Sequence, residues 1–289
     1  RGLKTGNPAA IVLPPDLSHM YADNLHWLDR FLELGGGQFC DAAAIHIYRP
    51  RPEEPDLELD TRGFLSLLER RGFDRPVYWT EGVYYPPYNL PQYGSVVHKG
   101  CSTDNVKYGA FSYDIGVGER MAAAYTMRTY LMALRYSPRV RHLVDWAFGE
   151  YYFLGEDWGM RGVCYVPLIL GRLLGGAHFQ RSVEVGKGYR CHLFADDVVA
   201  TAALWRFDWN VDSGKTAPAE VVVPDPGCPV TVIDMMGQQR PVTVADHVLR
   251  LAVGSSPLFL RVKPEHADAL ARALALSQGP EKQYVSFKA

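Results

Sequence analysis

The stretch Pro76-Val77-Tyr78-Trp79-Thr80-Glu81-Gly82 decides how this chain reads. It is a short apolar run that closes on a glutamate. Before it, Phe64, Leu67 and Leu68 recur at helical spacing, and before those a run ends His46-Ile47-Tyr48. Strand, helix and strand, with an acid at the carboxyl tip of the second strand, is how a (β/α) barrel presents a catalytic carboxylate. Aromatic residues frame that acid. Flat amphipathic rings suit hydroxyl-rich ligands with CH faces.

Working outward, the 9–13 segment (Ala-Ala-Ile-Val-Leu) is an apolar run stopped by Pro14-Pro15, as a buried strand would be. Leu17, Met20, Tyr21, Leu25, Leu28, Phe31 and Leu32 follow at three- and four-residue intervals. They predict an amphipathic helix with Asp16 or Ser18 near its N-cap and Gly35-Gly36-Gly37 beyond its end. Phe39 to Tyr48 reads as the next strand. The helix carrying Phe64, Leu67 and Leu68 is expected to be capped by Asp60 or Thr61, and Val77 to Thr80 is the strand after it. From Gly82 to about Glu119 the chain is rich in Tyr, Gly and Pro, and a loop of that length in a compact domain is usually functional. A helix at 120–136, a strand from His142 to Phe148 and a helix from Pro167 to Leu174 complete the alternation, which implies a parallel sheet.

The texture changes near Gly175-Gly176. Beyond it lie short strands and turn signals, among them Val198 to Phe207, Ala219 to Val223, Val230 to Asp234 and Leu258 to Val262. The expected architecture is therefore α/β: the C-terminal half of a (β/α)8 barrel at 1–176, then an antiparallel β-sandwich at 177–289. A whole barrel needs eight β/α units and roughly 250 residues. Only four precede the sandwich, so the chain is expected to be the C-terminal part of a longer protein.

Composition narrows the function class. With 289 residues, 47% hydrophobic and 21% charged, the chain can build a sizeable core. A net charge of −2 gives no electrostatic reason to expect nucleic acid, and no apolar run is long enough to span a bilayer. The five cysteines (Cys40, Cys101, Cys164, Cys191, Cys228) are scattered and odd in number, which argues against a disulfide framework or a zinc site. No metal or cofactor is expected. There is no G-x-S-x-G elbow, no H-E-x-x-H, no P-loop and no G-x-G-x-x-G after a strand. Localisation cannot be read from a chain that opens Arg1-Gly2-Leu3-Lys4.

Three segments in order carry a family resemblance: Asn7-Pro8-Ala9-Ala10-Ile11-Val12, then Phe39-Cys40-Asp41-Ala42-Ala43-Ala44-Ile45-His46-Ile47-Tyr48, then Pro76-Val77-Tyr78-Trp79-Thr80-Glu81. Their layout resembles barrel strands five, six and seven of clan A retaining glycoside hydrolases, nearest to the family 39-like and family 5-like enzymes with a trailing β-sandwich. The resemblance implies O-glycosyl hydrolysis by double displacement, with Glu81 as the nucleophile at the end of strand seven. It places the Tyr48 hydroxyl as a donor to Glu81 and His46 beside that carboxylate. Trp146 matches a strand-eight sugar platform. Tyr84, Tyr85, Tyr88 and Tyr93 on the long loop would wall the cleft, and Glu156, Asp157 and Trp158 would reach its rim. Asp41 begins its strand at the far end and is assigned a structural role.

Clan members carry the acid/base in an Asn-Glu pair after strand four, and no Asn-Glu pair occurs in this sequence. The expected partner is an oligosaccharide, polysaccharide or glycoside, with half an active site in this chain. Two rivals remain at this level: a non-catalytic carbohydrate-binding protein, and a glycosyl-transfer or phosphorolysis enzyme on the same scaffold.

Overall fold

The computed structural model describes residues 2–15, 17, 22–47, 52–53, 57–82, 119–143, 162–207, 218–242 and 244–277. The chain divides into two compact units, residues 1–118 with 136–159, and residues 119–135 with 160–289. Both helices and sheets are present, so the chain is an α/β protein.

The first unit holds a three-stranded parallel sheet, β1 (Ala43–Ile47), β2 (Val77–Gly82) and β3 (Val140–Leu143), with β2 in the middle. Helices α1 (Gly2–Gly6), α2 (Ala22–Glu33) and α3 (Leu57–Arg70) belong to it. Ala43 stands opposite Val77, and Val77 opposite Val140. The amides of Ala43 and Val77 donate to the carbonyls of Pro76 and Arg139, each at 2.8 Å. β1 is buried along nearly its whole length, as expected of a parallel strand covered on both faces. Helix α3 turns Leu57, Thr61, Phe64, Leu67 and Leu68 inward, a 3.6-residue stripe that explains its amphipathic sequence.

Three expectations fail here. The 9–13 segment is not a strand: Ile11 is 60% exposed, and the parallel bridge to β1 comes from Leu17, which contacts Ile45. Two prolines without N–H groups separate the apolar run from that bridge. Leu17 is therefore not helical, and α2 begins only at Ala22. Asp60 and Thr61 lie within α3, where the Thr61 hydroxyl donates back to the Leu57 carbonyl at 2.7 Å. A hydroxyl bonded to the carbonyl four residues earlier is a helix-interior pattern, not a cap.

Asp41 ties down the start of β1. Its carboxylate accepts from the Val12 amide at 2.7 Å and pairs with Lys4 at 2.8 Å, while its own amide donates to the Val12 carbonyl. Those bonds, Lys4 foremost, hold the Asp41 carboxyl below the usual range.

The second unit begins with α4 (Glu119–Leu134). Residues 122–133 of this helix are all buried. Small residues Ala122, Ala123 and Ala124 permit close approach, and the buried Arg128 guanidinium stacks over the Tyr125 ring at 4.9 Å. Helix α5 (Tyr165–Leu174) packs against it.

Two antiparallel sheets follow. The larger runs in the order β4 (His178–Ser182), β5 (Tyr189–Ala195), β6 (Ala200–Arg206), β12 (Leu258–Val262), β8 (Thr231–Ile233) and β9 (Gln239–Arg240). The smaller runs β10 (Val244–Ala245), β11 (Val248–Val253) and β7 (Ala219–Pro224). Leu193, Leu204 and Leu260 from the larger sheet meet Val221, Leu251 and Val253 from the smaller in one hydrophobic core. Helix α6 (Ala267–Ala275) adds Leu270 and Leu274 to that core.

The opposite face of the larger sheet is also sealed, by His192, Phe194, Trp205 and Phe259. His192 meets Trp205 edge-on at 5.2 Å and Phe179 at 6.0 Å, and the Arg135 guanidinium lies 5.5 Å over Phe179. Cys40, Cys164 and Cys191 are buried, Cys228 is half-buried, and none of the four is in a disulfide among the described residues.

Candidate functional site

Glu81 stands one residue from the carboxyl end of β2, the middle strand of the parallel sheet. Its partner on β1 is His46, with His46 Nδ1 3.5 Å from Glu81 Oε2. The two side chains are 13% and 27% exposed, so the pair is sheltered yet reachable. At 3.5 Å the imidazole flanks the carboxylate more loosely than an ordinary hydrogen bond.

A register shift makes this pairing. Ala43, Ala44 and Ile45 face Val77, Tyr78 and Trp79 in step, but the next pair is His46 with Glu81. Thr80 is thus the extra residue of a bulge in β2. In unbroken register Glu81 would stand opposite Ile47, whose apolar side chain can neither hydrogen-bond nor counter a carboxylate. Bulges commonly re-aim a side chain beside a site.

Trp79 and Gly82 fix the backbone around the acid. The Trp79 indole Nε1–H donates to the main-chain oxygen of Glu81 at 2.7 Å. Gly82 stands opposite Ile47, and a Cβ there would lie 2.4 Å from Trp79 Nε1 and 2.9 Å from the Ile47 carbonyl oxygen. Only a bare α-carbon fits.

Of the residues assigned from sequence, the structure brings Glu81 and His46 together. Tyr48, Tyr84, Tyr85, Tyr88, Tyr93, Trp146, Glu156, Asp157 and Trp158 lie outside the described residues. The roles of Trp79 and Gly82 were not anticipated. Their sequence signal was a glycine directly after the acid and an indole two residues before it. The bulge itself leaves no such mark.

A sizeable cavity bounded by described residues lies elsewhere. It measures about 960 Å³ and is lined by the second unit, with Met121, Met235, Asp234, Arg240 and Arg250 among its walls. Its charged side chains have partners: Arg240 pairs with Asp234 at 2.6 Å, Arg250 with Glu220 at 2.8 Å, and Arg120 donates to the Ser256 hydroxyl at 3.2 Å. Among the described residues no aromatic ring lines it for stacking. Geometry at Glu81 therefore outweighs volume in choosing the site.

No protein-family model matches this chain, and no curated protein does. Solved structures do. A family 39 glycoside hydrolase from the gut symbiont Bacteroides cellulosilyticus superposes with a TM-score of 0.56 at 18% identity, over 81% of this chain and 46% of that one. A family 30 endoxylanase from Clostridium papyrosolvens gives 0.53 at 10% identity, over 89% of this chain and 57% of that one. The chain thus spans about half the length of these solved structures, and what it shares with them is a fold. These structural neighbours are glycoside hydrolases, and a specific activity does not follow from a shared scaffold.

Proposed function

We propose that this chain carries the nucleophile of a retaining O-glycoside hydrolase, and that Glu81 is that nucleophile. One observation carries the proposal: a half-buried carboxylate at the carboxyl end of the central parallel strand, re-registered by a bulge to face a histidine. Active sites of β/α barrels gather at that end of their strands. The likeness in fold to two glycoside hydrolases supports a saccharide substrate.

In this reading β1, β2 and β3 supply strands six to eight of a clan A barrel within residues 1–176, and 177–289 supply a β-sandwich. The two antiparallel sheets sharing one core support the second assignment. Tyr48 donates its hydroxyl to Glu81, Trp146 is the sugar platform, and Tyr84, Tyr85 and Trp158 border the cleft.

The chemistry follows from the carboxylate. An ionised Glu81 attacks the anomeric carbon as the glycosidic C–O bond breaks, leaving a covalent glycosyl-enzyme. A second carboxyl group, about 5–5.5 Å away, protonates the leaving oxygen and then activates water. With no Asn-Glu pair in the sequence, that acid/base is proposed to lie outside these 289 residues. His46 restrains the Glu81 carboxylate so that one oxygen points at the sugar.

A leaving group that needs no proton tests Glu81 without the acid/base. The 2,4-dinitrophenyl 2-deoxy-2-fluoro-β-D-glucoside, -xyloside and -galactoside should label the protein, with Glu81 as the modified residue in peptide mass spectra. Glu81→Gln should abolish the adduct. Undiminished labelling of Glu81→Gln, or no adduct from any of the three sugars, overturns the assignment.

A further inference from the structure

We propose that Trp79 is a positioning residue for Glu81. Its indole N–H clamps the main-chain oxygen of the acid and so holds the bulge that keeps the carboxylate opposite His46. The catalytic consequence rests on the reading of Glu81 as nucleophile. The clamp itself rests on geometry alone.

Three observations converge on it. First, the Trp79 ring is 1% exposed and donates to the Glu81 carbonyl at 2.7 Å, a side-chain bond reaching two residues along its own strand. Indole nitrogen is a donor only, so the bond has one polarity and one available direction. Second, Gly82 carries no Cβ where one would collide with both Trp79 Nε1 and the Ile47 carbonyl. The Ile47 oxygen is backbone within β1 and cannot move aside without breaking the sheet. Third, the register shift lies between Ile45–Trp79 and His46–Glu81, the interval that the indole bond spans.

A bulge interrupts the hydrogen-bond ladder, and the displaced strand end then needs another restraint. The indole supplies it from within the core. Loosening it would let β2 relax toward even register, turning Glu81 from His46 toward Ile47. A displacement near 1 Å at a reacting group costs on the order of 100-fold in rate.

Trp79→Phe keeps the buried ring and removes the donor. Gly82→Ala keeps the donor and obstructs its approach. Both are expected to slow labelling by the dinitrophenyl fluoroglycosides ~10- to 100-fold, with Glu81 still the modified residue. Trp27→Phe, on the exposed face of α2, should leave the rate unchanged. In ¹⁵N-histidine spectra the His46 ring signals should move in Trp79→Phe and Gly82→Ala. In the unaltered protein, the Trp79 indole proton should exchange slowly with solvent.

Folded variants with the original labelling rate and unmoved His46 signals would overturn the proposal. So would rapid exchange of the Trp79 indole proton, a measurement that needs no variant. If the unaltered protein takes no label, the nucleophile assignment falls, while the His46 signals and indole exchange still decide the clamp.

Discussion

Two histidines of this molecule, on strands of different sheets, live under opposite conditions. His46, on parallel β1, keeps partial access to solvent and a carboxylate 3.5 Å away. His192, on antiparallel β5, is 1% exposed between Trp205 and Phe179. Its Nδ1 lies 3.0 Å from the Cys191 carbonyl and 3.2 Å from the Ser182 hydroxyl. Its Nε2 is buried and finds no partner among the described residues. Burial pushes the His192 pKa down to about 3, with the Arg135 charge adding to the effect. The first histidine is placed to act on a neighbour. The second is a ring in a wall.

Acid should separate the two most strongly. His192 is neutral in the folded chain but protonates near pH 6.5 when unfolded. A depressed histidine pKa means that the unfolded state binds the extra proton first. Its contribution to stability is intact above about 6.5 and lost progressively as pH falls toward about 3, at ~1.4 kcal/mol per pH unit. Denaturant unfolding at a series of pH values should show this acid limb, and His192→Phe should flatten it. An unchanged limb in that variant would mean that other groups dominate.

His46→Ala should do the reverse. Labelling of Glu81 should slow by about tenfold, equivalent to ~1.4 kcal/mol, while the unfolding midpoint moves little. A large loss of stability with normal labelling would make His46 a packing residue like His192.

The smallest effect concerns the hairpin joining β10 and β11. Asp246 and His247 both take positive φ, 52° and 59°, the geometry of a type I′ turn. Replacing the pair by Asn-Gly should relieve positive-φ strain and raise stability by about 1 kcal/mol, read from thermal unfolding, and leave labelling alone.

The antiparallel half was the more legible in sequence. Leu258 to Val262 coincides with β12, and the expected strand at Val198 to Phe207 contains Ala200–Arg206. There each strand is short and bounded by turn residues, so pattern and structure share one length scale. In the parallel half, Val77 and the helix at Phe64, Leu67 and Leu68 were legible because burial imposes periodicity. The false strand at 9–13 shows the limit, since a five-residue apolar run does not reveal which neighbour will pair with it. Glu81 was singled out in sequence because it closes a short apolar run. The bulge that turns it toward His46 depends on the partner strand, and no periodicity within β2 encodes that.

Helix α4 comes from the middle of the chain, between two stretches assigned to the first unit, and yet it belongs to the second. Neither unit is therefore a contiguous cassette. A gene segment opening at residue 177 would omit Arg135 and the guanidinium that lies over Phe179. A single crossover that carries either unit whole must also carry a piece of the other.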